Sequence, residues 1–183
     1  MDMRMRSLTA AAFAIGVAFA VFAGVARGGL NWTPDDGCRT GLSADGYFYA
    51  AGPEAYWVVT TGGWNNCHLA TSTTTGPLSN YAEWYLPIDT SYNGTYNNRA
   101  YVSNAGPAPL TTEAEYLLWG NGHSGGVTQA QILDQSANQS GFCYIFGPNT
   151  TMNGSNGGLA EIVDQNTRAD GYIYVDVFCF AAQ

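Results

Sequence analysis

The sequence predicts an all-β protein, an antiparallel sandwich of about eight to nine strands. Three observations carry that prediction. Short runs rich in Tyr, Val, Phe and Trp recur along the chain, and such residues suit a pleated, half-buried surface. Strong turn residues separate the runs: Gly62-Gly63, Gly76-Pro77, Asn93-Gly94, Gly106-Pro107, Gly125-Gly126 and Asn153-Gly154. No long stretch carries helical periodicity.

Taken in order, the expected strands cover 46–51, 55–61, 82–87, 99–103, 114–119, 129–134, 141–146, 158–163 and 171–180. The segment 125–135 has some helix-favouring Ala and Gln, but is read as strand. The last run is the best defined. Ile173, Val175, Val177 and Cys179 fall on one face, with Tyr172, Tyr174, Asp176, Phe178 and Phe180 on the other. Two apolar faces describe a strand covered on both sides. Asp176 is then a buried carboxylate that needs hydrogen-bond donors or a cation.

The N-terminus reads as an export signal. Arg4 and Arg6 precede an apolar run from Leu8 to Ala26, and small residues gather at Ala23, Gly24 and Ala26. Residues 1–27 are therefore expected to be a secretory signal peptide, 28–44 an irregular lead-in, and 45–183 the sandwich domain. A retained membrane anchor is the rival reading. The run is at the short limit of a spanning helix and is half Ala and Gly, which favours cleavage and a secreted, extracellular protein. No membrane association is expected after cleavage. The four cysteines, Cys38, Cys67, Cys143 and Cys179, then read as two disulfides. Three pairings are possible. Cys38–Cys67 with Cys143–Cys179 is favoured, because each pair belongs to one half of the chain. Wide cysteine spacing argues against zinc.

Charge excludes some partners. The formal net charge is −8, charged residues are only 11% of the chain, and lysine is absent. Nucleic acid and anionic lipid both need clustered Lys and Arg, so neither is expected. Catalysis has no visible constellation. His68 and His123 are the available imidazoles, each expected in an exposed loop. There is no Gly-x-Ser-x-Gly elbow. Glu113 and Glu115 share a strand face, the usual mark of a solvated surface. The chain is expected to be a non-enzyme without cofactor or metal site. The one calcium-like stretch, 164–171, is read as an Asx-rich turn in which structural calcium is the less favoured reading.

Sugar recognition is the remaining candidate. Five Trp, 12 Tyr, many Asn and no Lys suit stacking on pyranose rings with amides for the hydroxyls. Two loop clusters join an indole, amides and an imidazole. One is Trp64, Asn65, Asn66 and His68; the other is Trp119, Asn121 and His123. These seven residues are the expected ligand contacts. The partner would be a polysaccharide or cell-envelope glycan. The alternative is a structural or interaction protein of the cell exterior, without sugar affinity.

One pattern resembles a known family. Ala82-Glu83-Trp84-Tyr85-Leu86-Pro87, Gly94, Tyr96, Arg99-Ala100-Tyr101-Val102, Thr112, Ala114-Glu115-Tyr116, Gln135 and Val175-Asp176-Val177-Phe178-Cys179-Phe180 follow one another as in golvesin-type domains. These domains are also found at the C-terminal end of xanthan lyases. Cys179 stands where that family often has arginine, and the four cysteines are not a general family feature. The resemblance implies a jelly-roll or galactose-binding-like sandwich, carbohydrate-binding-like and without catalytic residues. It also implies that Trp84 and Tyr116 are core and that Asp176 is a buried structural acid.

Overall fold

The computed structural model describes residues 30–103, 108–137 and 141–183, so the expected signal peptide lies outside the described residues. Thirteen strands are present among them. In chain order they are β1 (Gly41–Leu42), β2 (Phe48–Ala51), β3 (Trp57–Thr61), β4 (Cys67–Ser72), β5 (Tyr81–Tyr85), β6 (Gly94–Val102), β7 (Ala114–Trp119), β8 (Gln129–Leu133), β9 (Gly141–Tyr144), β10 (Thr150–Met152), β11 (Leu159–Val163), β12 (Tyr172–Val175) and β13 (Phe178–Ala182). All strand pairs are antiparallel. No helix among the described residues is long and apolar enough to cross a membrane.

One layer is a six-stranded sheet in the order β1-β2-β5-β11-β7-β8. Facing it are two smaller sheets. In the first, β6 carries β13 on one edge and β9 and β10 on the other. The second has the order β12-β4-β3. The main core fills the space between the layers, and a second, smaller cluster joins Ala70, Val102, Leu110 and Tyr174. Phe48, Trp84, Tyr116, Leu118 and Ile162 come from the large sheet, and Tyr96, Leu69, Ile173, Phe178 and Phe180 from the facing ones. Alternation explains the contributions: in β7, Ala114, Tyr116 and Leu118 are buried while Glu115, Leu117 and Trp119 are less so. Trp84 is fully enclosed, 5.3 Å from the Phe178 ring and 5.9 Å from Phe48. Its indole N–H donates to the Asp176 carbonyl at 2.9 Å, tying the two layers together.

Several expectations are refined. The long terminal run is two strands broken at Asp176-Val177. β12 pairs with β4 and β13 with β6, so the break moves the chain from one facing sheet to the other. The lead-in is more ordered than expected. Trp32 bridges Phe180 with hydrogen bonds in both directions, at 3.0 and 2.8 Å, covering the free edge of β13. Strands β1, β4 and β10 add to the expected set. β1 and β10 are only two and three residues long, and β4 reads as small and polar.

Cys38 and Cys67 form a disulfide with a Cα–Cα separation of 5.7 Å. It joins the lead-in to the start of β4. The second expected bridge is corrected: Cys179 is a free thiol. Cys143 lies opposite Ala100 on one edge of β6, and Cys179 opposite Arg99 on the other. Two strand spacings separate the backbones by roughly 9–10 Å, too far for a disulfide. The side chain of Cys143 itself lies outside the described residues.

Candidate binding face on the six-stranded sheet

Neighbouring strands of the large sheet each place one glutamate at the same height. Glu83 of β5 is directly opposite Glu161 of β11, and Tyr49 of β2 continues the row. Their neighbours Ala82, Trp84, Ala160 and Ile162 face the core, so the two glutamates face outward. Cross-strand partners have Cβ atoms about 4.5–5.5 Å apart, and like charges so placed destabilise a sheet. Both residues are nevertheless buried, with 4% and 6% of their surface exposed.

Aromatic donors cover them. Tyr85 donates its hydroxyl proton to Glu83. His123 Nε2 lies 2.8 Å from the other Glu83 oxygen. Trp119 Nε1 donates to Glu161 Oε2 at 2.7 Å. The Trp119 and His123 rings meet edge to face at 4.8 Å. Burial holds the Glu161 carboxyl above its ordinary range, opposed by the Trp119 N–H and reinforced by Glu83. Burial, then the bond to Glu83, pushes the Tyr85 phenol well up. The result is a satisfied polar cluster roofed by rings, with the His123 side chain 54% exposed on top.

The loop carrying His123 is held by backbone approach. Gly122 has φ +67, and a Cβ there would meet the Asn156 carbonyl at 2.3 Å. Asn153 N–H donates to Gly120 O at 2.7 Å. Asn121 is exposed and accepts from the Asn153 amide at 3.3 Å, away from the carboxylates.

The expected Trp64 cluster sits elsewhere. Trp64, Asn65 and Asn66 form the β3–β4 hairpin loop and are exposed, with Asn66 at φ 64. Trp64 leans edge-on against Phe142 at 5.1 Å and Tyr101 at 5.6 Å. Its backbone N–H donates to Asp176 Oδ2 at 2.7 Å, on the layer facing away from Glu83 and Glu161. The two expected clusters therefore do not combine into one site. His68 is corrected from a loop to a fully buried position in β4, its ring 4.6 Å from Tyr174. Leu69 points into the main core, whereas His68 lies on the opposite face of β4 with Ala70 and is covered there by Tyr174, a burial that no local pattern announces.

Other expected features resolve locally. Asp164 accepts from Ser79 and Asn80, whereas Asp170 accepts from Thr111 and Thr112, so 164–171 is a turn clamped to two different segments. Glu113 and Glu115 line a shallow groove of about 280 Å³ with Gln165 and Asn166.

Sequence reasoning missed Glu83, Glu161 and Tyr85. A signal was present: each glutamate follows an alanine inside an otherwise apolar strand, Tyr81-Ala82-Glu83-Trp84-Tyr85 and Leu159-Ala160-Glu161-Ile162-Val163. A lone acid in such a strand is costly unless paired.

Fold and site together define a two-layer antiparallel β-sandwich with a carboxylate and aromatic cluster on the outer face of its larger sheet. No family model, curated protein or solved structure matches the chain.

Proposed function

We propose that the chain is a non-catalytic, extracellular glycan-binding module, and that the outer face around Glu83, Glu161, Tyr85, Trp119 and His123 is its contact surface. The carrying observation is the Glu83–Glu161 pair held on the outside of the sheet by aromatic donors. A like-charged pair in that register opposes folding, so a role in recognition accounts for it better than packing does. Carboxylates accept hydrogen bonds from sugar hydroxyls, and ring faces cover the apolar side of a pyranose.

The ring contacts are edge to face, so the surface is uneven. That suits a single sugar chain or chain end better than a flat crystalline polymer. The net charge of −8 favours neutral or amino-sugar glycans over acidic ones. Both carboxylates already hold donors, which supports binding over hydrolysis. A glycan array of neutral and amino-sugar oligosaccharides, probed with the exported domain, tests the reading. Wild type is expected to bind and His123→Ala to lose most of the signal while still showing a folded near-ultraviolet circular dichroism spectrum. An array on which wild type stays blank would count against it.

A specific observation supports the second reading, an interaction protein of the cell exterior. β3 is the edge of its sheet, Val58 and Val59 are exposed, and no charged residue lies between Glu54 and Glu83. Uncharged apolar edges invite strand pairing. Concentration-dependent sedimentation, abolished by Val59→Lys, would favour that reading.

A further inference from the structure

We infer that Asp35, Asp36 and Asp176 form a binding site for a hard divalent cation of the calcium type. One carboxylate oxygen from each lies within 4.8 Å of the others. The three come from distant parts of the chain. Asp35 and Asp36 belong to the lead-in turn, and Asp176 to the break between β12 and β13. The disulfide and the hairpin loop bring them together. Cys38 is bridged to Cys67, while Asp36 accepts from the Cys38 N–H at 3.0 Å and from the Leu69 N–H at 2.9 Å. Asp35 accepts from the Gly37 N–H at 3.2 Å and from the Asn65 side-chain amide.

Asp176 supplies the independent sign of a missing partner. Its residue is 1% exposed. One oxygen takes the Trp64 N–H, but Oδ1 has no hydrogen-bond partner among the described residues. A buried carboxylate oxygen without a partner is expensive. Neither ion pair among the described residues reaches the three acids. The close approach is also built in. Gly63 has φ +83, and a Cβ there would stand 2.4 Å from Asp176 Oδ2. Only glycine lets the hairpin backbone come so near the carboxylate.

The donor set selects the ion class. Both nearby cysteines are tied in the disulfide, so the ligands are carboxylate oxygens, which suit calcium or magnesium over zinc or copper. Asp35 is only partly buried and Asn65 is exposed, leaving an open side for water to complete six to eight ligands. The site lies away from the Glu83–Glu161 face, and the inference stands whether or not that face binds glycan.

The test uses the exported protein after EDTA treatment and dialysis. Terbium is the probe, because Trp64 adjoins the site and can sensitise its luminescence. A saturable signal that calcium displaces is expected. The wild-type melting temperature should rise by several degrees with added calcium and fall back with EDTA, because an ion that binds only the folded state stabilises it. Asp35→Asn and Asp176→Asn should each weaken terbium binding by about tenfold or more, since affinity follows ligand charge. Asp170→Asn, in the Asx-rich turn, should leave it unchanged. The inference is overturned if wild type shows neither saturable luminescence nor a calcium-dependent melting temperature. It is equally overturned if both Asp35→Asn and Asp176→Asn bind as wild type does, or if Asp170→Asn alone loses the ion. The wild-type titration decides the matter even if a variant does not fold.

Discussion

Two groups of buried acids occupy opposite sides of the sandwich, and they are solved differently. On the outer face of the large sheet, Glu83 and Glu161 are met by a phenol, an imidazole and an indole. At the lead-in and hairpin, Asp36 is met by backbone N–H groups, while Asp176 keeps one oxygen without a partner. Burial pushes Asp36 up to about 8 against the pull of the Cys38 N–H, and Asp176 up to about 7 against the Trp64 N–H. Burial raises Glu161 as well, and the largest opposing cause there is the Trp119 bond. Each group finds its compensation in a different place. Side-chain donors from neighbouring strands complete the first. The second is left short by its own protein, and a cation would complete it.

Trp84 connects the two regions, and its loss should have the largest effect. It follows Glu83 in β5 and reaches through the core to the Asp176 carbonyl. Trp84→Ala should destabilise the fold by about 3–5 kcal/mol, measured by denaturant unfolding, and should impair both regions together. A midpoint close to wild type would show that the layers do not depend on this residue.

The disulfide separates them next. Cys38→Ser with Cys67→Ser opens a loop closed across 29 positions and should cost about 3.5 kcal/mol. Chemical unfolding would read that loss. The double variant should also lose its response to calcium while keeping its glycan-array profile, because the bridge positions Asp36 and not Glu83. Equal loss of both responses would mean that the regions are not independent.

The smallest effect concerns the glutamate pair. A carboxyl whose folded value is raised weakens the fold when ionised, and that penalty fades as pH falls through the raised value toward the ordinary one. Glu161→Gln removes the penalty and the repulsion from Glu83, while its amide oxygen can still accept from Trp119. The variant should therefore be more stable than wild type near neutral pH by about 0.2–1 kcal/mol. The advantage should vanish below the ordinary carboxylate range. Thermal melts at several pH values would show it, and a variant less stable at neutral pH would contradict the description of the pair.

Much of the fold was legible because strand alternation is a local signal. Trp84 was expected inside and lies there, and the alternation of β7 accounts for the burial of Tyr116 and Leu118. The burial of Asp176 was legible too, as one acid in an apolar run. The break beside it was not, because the change of partner from β4 to β6 depends on contacts with Trp64, Trp84 and Tyr101 far away in sequence. The glutamate pair escaped for the same reason. Each glutamate stands out only as a lone acid in its own strand, and the register of β5 against β11 is what makes them neighbours. Trp64 and Trp119 were conspicuous in sequence as loop residues, yet Trp119 ends strand β7 and matters here through its indole bond to Glu161, and Trp64 lies on the other side of the sandwich.

Binding by the outer face is tested most directly by comparing the two tryptophan regions on one glycan array. Wild type, His123→Ala, Trp119→Phe and Trp64→Ala would be applied at equal concentration after near-ultraviolet circular dichroism has shown each to be folded. Trp119→Phe keeps a ring but removes the N–H that orients Glu161. The proposal predicts retained binding by Trp64→Ala and loss of about tenfold or more for the other two, the size expected when charge-assisted hydrogen bonds are disturbed. Binding lost in Trp64→Ala and kept in His123→Ala and Trp119→Phe would contradict it, and would move the contact surface to the β3–β4 hairpin.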